Sequence, residues 1–255
     1  MENCSIRNAA LRIESWFPSS AALDKGTGGC SALPPPVGSL ALPFAGGDSD
    51  SCEVLGFQLW PVDTAHEYLH RRGIDRATAE HFGSGFYAGP GIMNGRVVIP
   101  IHDGEGELIG YAGRALDATQ PRYRFPTGFR KSLVLFNLHR AITARSHGTV
   151  VVVEGFFDCL KVFQAGVRCV VALMGCTMTA IQERLLVENF QHVVLFLDGD
   201  DAGRSASSEI AARLVRRLFV RVVDTPSGVQ PDEMPLEHIR AVLKPAMDCA
   251  SDVGS

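Results

Sequence analysis

The sequence predicts an α/β fold in which helices cover both faces of a parallel sheet, preceded by a smaller α+β piece. Three observations carry this. Val-rich runs at 150–153, 168–173, 193–197 and 218–223 are nearly continuous in apolar character, the pattern of strands buried on both faces. Amphipathic stretches at about 156–165, 178–188 and 203–217 separate them, and such alternation builds parallel sheets. Upstream, Arg96 to Ile101, a turn at Asp103-Gly104-Glu105-Gly106 and Leu108 to Gly113 form a hairpin.

The remaining elements follow in order. Residues 3–17 read as a short amphipathic helix with Ile6, Ala9, Ala10, Ile13 and Phe17 on one side. From Ser19 to Ser51 the composition shifts to Gly, Ser, Pro and Asp, including Pro34-Pro35-Pro36, which is linker chemistry. Thr64 to Arg72 and Asp75 to Phe82 are two short helices separated at Gly73, each opened by a capping residue. His139 to Arg145 is a further helix, and the tail is helical to Leu243. The expected segments are 1–18 (helix), 19–54 (linker), 55–147 (α+β), 148–225 (α/β) and 226–255 (acidic motif and helical tail).

The chain has 255 residues, 46% of them hydrophobic and 20% charged, enough for one large core or two modest ones. A net charge of -4 argues against a strongly basic nucleic-acid coat, but a local groove stays compatible with it. Seven scattered cysteines without a CxxC pair argue against a disulfide framework or a zinc site in this chain, and for a reducing compartment. There is no eighteen-residue apolar stretch and no basic-then-apolar leader, so a cytoplasmic protein without membrane contact is expected.

In a parallel α/β sheet, functional groups collect at the carboxyl ends of the strands. Glu154 ends the first expected strand of the second domain, and Asp198 and Asp200 follow the third. Crowded carboxylates repel one another, and a divalent cation relieves that repulsion. Oxygen-only ligands suit magnesium or manganese, ions that act on phosphates, which points to phosphoryl or nucleotidyl transfer. Gly155 and Gly199 leave room for a phosphate, and the helix opening at 203–205 offers free N–H groups. The competing reading makes Glu154 a strand-end acid and Asp198 to Asp201 helix caps. Asp198, Asp200, Gly203 and Glu209 also fall at EF-hand loop spacing, but Ala202 and the preceding apolar strand contradict that motif.

Glu154-Gly155-Phe156-Phe157-Asp158, Ala172-Leu173-Met174-Gly175 and Asp198-Gly199-Asp200-Asp201-Ala202-Gly203-Arg204 resemble the successive motifs of a Toprim domain, in the version of bacterial DnaG-type DNA primases. Upstream, Arg96 to Asp103, Gly110 to Arg114, Pro121 to Phe125, Phe129 to Leu133 and Phe136-Asn137-Leu138 resemble the first subdomain of the primase catalytic core. The likeness runs from about Tyr68 to about Leu243.

The resemblance implies catalysis by Glu154, Asp198 and Asp200, and Mg2+ (or Mn2+) held by Glu154, Asp158, Asp198, Asp200 and Asp232. It implies attack of a ribonucleotide 3′-hydroxyl on the α-phosphate of the next nucleoside triphosphate, on a single-stranded DNA template. Arg96, Arg114, Arg122, Arg124, Arg130 and Lys131 stand against four acids between 96 and 131, with Tyr123 among them. Such cations grip phosphates and such a ring stacks on bases. Lys131 and Arg114 match family motif positions, and Arg204 belongs to the third motif. A solvated sheet face is the plain alternative for any single one of these.

Three departures bear on function. Gln230 stands where many primases of this type have an acid. Residues 3–16 resemble only the last helix of the family's zinc-binding domain, with Cys4 beyond its ligands. Little follows the core where a helicase-docking domain is expected. A separate zinc-domain protein or a helicase therefore joins single-stranded DNA and ribonucleoside triphosphates among the expected partners. Two rivals stay open: a Toprim-type metal-dependent nuclease, and a non-catalytic DNA- or partner-binding module of a mobile-element replication system.

Overall fold

The computed structural model describes residues 52–145 and 148–248. The helix expected near residues 3–17, nearly all of the expected linker and the last residues of the tail lie outside these. The first described part opens with α1 (Glu67–Arg71) and α2 (Arg76–Phe82). Asp75 caps α2 by accepting from Thr78 N–H at 2.7 Å, and Gly83 ends it in the left-handed conformation at φ 65°.

Four antiparallel strands follow: β1 (Gly85–Tyr87), β2 (Arg96–His102), β3 (Leu108–Ala115) and β4 (Tyr123–Arg124), in that spatial order. The hairpin β2–β3 is the expected one. β1 and β4 were not expected, because three- and two-residue strands show no periodicity. The helix expected from Thr64 begins only at Glu67, since Asp63 instead pairs with Phe86 through two backbone hydrogen bonds of 2.8 and 2.9 Å. A 3-10 turn at Lys131–Leu133 and α3 (Leu138–Ala144) complete this part.

The second part alternates as expected: β5 (Thr149–Val153), α4 (Phe156–Gln164), β6 (Val170–Ala172), α5 (Ala180–Asn189), β7 (His192–Leu195), α6 (Asp201–Leu214) and β8 (Phe219–Val222). The strands are parallel in the order β6-β5-β7-β8. All five residues of β5 are buried, which is why its sequence does not alternate. The chain leaves β5 toward β6 on one side and returns past it to β7 on the other. The loops after β5 and β7 therefore diverge, and a crevice opens between them. A 3-10 turn at Pro231–Glu233 and α7 (Leu236–Asp248) follow.

One apolar cluster runs through both parts, including Phe82, Ile99, Phe136, Val153, Phe156 and Phe163. Phe82 and Phe136, each 1% exposed, contribute on the order of 2 kcal/mol apiece by burial. Polar contacts add register. Lys161 Nζ and Gln164 Nε2 on α4 both donate to the carbonyl of Gly73, at 3.3 and 3.0 Å. A backbone bridge joins Phe136 to Ala172 at the end of β6. Arg114 of β3 and Tyr123 of β4 line one cavity with Glu154 and Asp198, so the antiparallel sheet is seated beside the carboxyl ends of the parallel one. No helix among the described residues is long and apolar enough to cross a membrane.

Candidate active site

Glu154 follows β5, and Asp198 lies beyond the end of β7. They meet where the crevice opens: the backbone N–H of Asp198 donates to Glu154 Oε1 at 3.2 Å. Gly203 in the first turn of α6 permits this approach, because a Cβ there would strike the Asp198 backbone and lie 2.9 Å from Glu154 Oε1. Gly155 and Gly199 are also places where the chain itself leaves no space for a side chain. A Cβ on Gly155 would meet Asp158 Oδ2 at 2.8 Å, and one on Gly199 would run into the carbonyls of Thr225 and Pro226.

Asp158, in the first turn of α4, is buried with both oxygens engaged. Oδ2 accepts from Gly155 N–H at 2.9 Å and Oδ1 from Asp232 N–H at 3.1 Å. Its position is that of a capping and tethering carboxylate that pulls the 231–233 turn onto α4. Asp232 in turn pairs with Arg72 through Arg72 Nη2 and Asp232 Oδ2. Asp200 lies at the rim, close enough for its charge to raise both Glu154 and Asp198. It is exposed and caps α6, with Oδ1 accepting from Gly203 N–H at 2.7 Å.

Burial and mutual repulsion raise the pKa values of Glu154, Asp158, Asp198 and Asp232. The Glu154 carboxyl is pushed up to about 7, first by burial and then by Asp198. Asp158 rises to about 8 through burial, with Asp232 and Asp198 adding to it. Asp198 is raised by burial against the lowering hydrogen bond from Gln230. Asp232 is raised as well, so burial outweighs the Arg72 guanidinium beside it.

Among the described residues, no three His, Cys, Asp or Glu side chains already converge into a metal-holding group. Two observations nevertheless fit a hard divalent cation here. Oδ1 of Asp198 and Oδ1 of Asp232 are buried without any hydrogen-bond partner, and the donors are all carboxylate oxygens. Glu154 and Asp198 are the adjacent pair that would hold such an ion.

The cleft also has a basic lining. A cavity of about 360 Å³ is lined by Glu154, Asp158, Asp198, Gln230 and Asp232, by Arg72 beside its partner Asp232, and by Arg114, Arg122 and Lys131. Arg114 donates to the Tyr68 hydroxyl at 3.0 Å and lies 5.0 Å over the Tyr123 ring and 5.9 Å from that of Phe157. Tyr123 is packed beneath this guanidinium and against Phe156, and burial pushes its phenol up to about 12. It supports the Arg114 cation and is itself part of the cleft lining. Lys131 Nζ donates to the carbonyl of Met174 at 3.0 Å, and Met174 holds a left-handed φ of 61°.

Four expected phosphate-binding residues lie outside the cleft lining. Arg96 is 4% exposed and donates to the carbonyls of Gly113 and Pro121 at 3.0 and 3.2 Å. The β2–β3 register explains it: Arg96 faces Ala115 while Arg114 faces Val97, one residue out of step, so the two arginines lie on opposite faces. Arg124 reaches the Ile92 carbonyl at 3.4 Å, and Arg130 lies beyond the cleft. Arg204 turns back onto the Gly199 carbonyl and Asp201. Sequence reasoning did not select Arg72, whose guanidinium sits 4.9 Å over Phe157 and whose Nε is buried without a partner. Its only signal was a charge beside the helix-ending Gly73.

Residues 151–234 match the Toprim-like family and residues 90–142 match the DNA primase catalytic core, N-terminal domain. The DNA primase of Aquifex aeolicus is 37% identical over 164 residues, covering 62% of this chain and 33% of that protein. That of Clostridium acetobutylicum is 34% identical over 142 residues, covering 54% and 24%. The chain thus spans about a quarter to a third of these curated relatives. Among solved structures, the Aquifex aeolicus primase with its zinc-binding and RNA polymerase domains superposes with TM-score 0.63 at 30% identity, covering 70% of this chain and 55% of that one. The RNA polymerase domain of the Mycobacterium tuberculosis primase DnaG gives 0.61 at 25% identity, covering 73% and 78%. A DnaG primase catalytic domain bound to single-stranded DNA gives 0.60 at 26%, covering 74% and 71%. With these matches lying on the residues that build the cleft, the chain is a Toprim-domain protein resembling the catalytic core of bacterial DnaG-type DNA primases.

Proposed function

We propose that this chain is a primase-type nucleotidyltransferase that synthesises short RNA primers on single-stranded DNA. The observation that carries the reading is the single cleft that carboxylates share with Arg114, Arg122 and Lys131. A polyanionic substrate has cations to bind, and the same cleft has the acids that its chemistry needs.

The reaction joins a 3′-oxygen to the α-phosphorus of an incoming ribonucleoside triphosphate and breaks the bond to pyrophosphate. Glu154 is the candidate acceptor of the 3′-hydroxyl proton, since it lines the cleft at the end of β5 with Oε1 held by the Asp198 N–H. Lys131, Arg114 and Arg122 would bind triphosphate and template phosphates. Asp198 orients against Glu154, while Asp158 and Asp232 anchor the 231–233 turn behind them. Asp200 would join them from the rim. A bound Mg2+ or Mn2+ supplies charge neutralisation at the α-phosphate and the leaving pyrophosphate. We further propose that a zinc-domain protein or a helicase partners this core, on the strength of the relatives' larger architecture.

Primer synthesis on single-stranded DNA, with labelled ribonucleotides and Mg2+ or Mn2+, tests the reading. Short RNA products support it. Metal-dependent cleavage of the template without RNA products would move the chain to the nuclease class.

A further inference from the structure

Lys131 enters the cleft from a segment of the first part, yet its nitrogen is anchored on Met174 of the second. Something must keep those two segments in fixed relation. Gln182, in the first turn of α5, touches both. It is 1% exposed, and the two hydrogens of its Nε2 go to the carbonyls of Leu173 at 2.9 Å and Val134 at 3.0 Å, with the Lys131 carbonyl at 3.4 Å sharing one of them. Its Oε1 accepts from Thr179 N–H at 3.0 Å, which fixes the direction of the amide. The Thr179 hydroxyl donates to the Ser132 carbonyl at 2.7 Å, so a second bond from the same helix end holds the same segment.

We propose that Gln182 is a positioning residue for Lys131. One buried amide pins the backbone that carries the lysine, and also the residue before Met174, whose carbonyl receives the ammonium. An α-helix of ten residues carries it, so its position is rigid. A helix-cap residue needs only its reciprocal bonds with Thr179; the bonds from Nε2 to Leu173 and Val134 go beyond capping. The proposal rests on the reading of Lys131 as a phosphate-binding residue.

The test is a double-mutant cycle on the whole chain, with Gln182→Met and Lys131→Ala. Binding of a fluorescein-labelled single-stranded oligonucleotide is read across a salt series. Gln182→Met is expected to weaken binding about threefold to tenfold and to lower the log–log salt slope by about 0.7, as loss of one phosphate contact does. In the Lys131→Ala background it is expected to change neither quantity further. Thr179→Val, which leaves the amide in place, is expected to move both the same way by less and guards against a Gln182→Met chain that fails to fold. Equal weakening by Gln182→Met in both backgrounds, or none in either, overturns the proposal. If Lys131→Ala itself leaves binding and slope unchanged, the phosphate role of Lys131 falls, and the role of Gln182 with it.

Discussion

The Gln230 side chain donates from Nε2 to Oδ2 of Asp198 at 2.6 Å, while Oδ1 of the same carboxylate is buried without a partner. The amide thus divides the carboxylate into one committed and one available oxygen. It also keeps a neutral group where a further acid would add repulsion to Glu154, Asp198 and Asp232. Backbone bonds hold the loop in place, from Gly199 N–H to Val229 and from Gly228 N–H to Gly199, each 2.9 Å.

From this relationship we expect Gln230→Glu to raise affinity for Mn2+ by about tenfold, since one added charge beside a hard cation outweighs a lost amide bond. The same variant is expected to melt at a lower temperature in EDTA, where the extra acid is unrelieved. Calorimetric titration and thermal melts with and without the metal check both halves.

The raised carboxylates fix the sign of the pH dependence. A carboxyl whose folded value lies above its free value favours the folded state at low pH. That contribution is complete below the free-chain carboxylate range, near pH 4, and is lost as pH rises through about 7 for Glu154 and about 8 for Asp158. Without divalent cations, the melting temperature is therefore expected to fall between about pH 5 and pH 8, and Mg2+ is expected to restore most of the loss at the upper end. A metal-free melting temperature that rises across this window would contradict the assignment.

Arg72 and Asp232 form a pair in which the Asp232 side chain is 2% exposed. Removing the guanidinium leaves that acid unpaired next to Asp158, a loss of about 3 kcal/mol for a buried pair broken on one side. Arg72→Met is expected to lower urea stability by that order, and Arg72→Met with Asp232→Asn to recover part of it. Equal destabilisation by the single and double variants would show that the pair is not what Arg72 supplies.

Arg96 is expected to separate stability from binding. Arg96→Met removes a buried guanidinium from two carbonyls and is expected to cost about 2 kcal/mol in denaturant unfolding. Affinity for single-stranded DNA is expected to stay unchanged, because the side chain points away from the cleft.

The alternating second part was legible because β5, β6 and β7 are almost entirely buried and so read as continuous apolar runs between helical stretches, while β8 at the sheet edge is mostly exposed. Glu154 and Asp198 were legible for the same reason: carboxylates at the ends of buried strands have one place to go. The arginines were not, because which face a strand residue takes depends on register, and a one-residue offset sent Arg96 and Arg114 apart. Asp200 illustrates a different limit. The same sequence fits a helix cap and a metal ligand, and in this structure the cap bond to Gly203 has formed. Arg72 and Gln182 act through contacts about 50 to 160 residues away, which no local pattern encodes.

Primer synthesis by the wild-type chain beside Asp198→Ala tests the central claim most directly. The variant loses one half-buried acid and is expected to keep its fold, because relief of repulsion offsets the lost bond to Gln230. The expected result is short, metal-dependent RNA products from the wild type and none from a variant with an unchanged melting profile. Equal primer yield from the two proteins would contradict the assignment of the cleft as the catalytic centre.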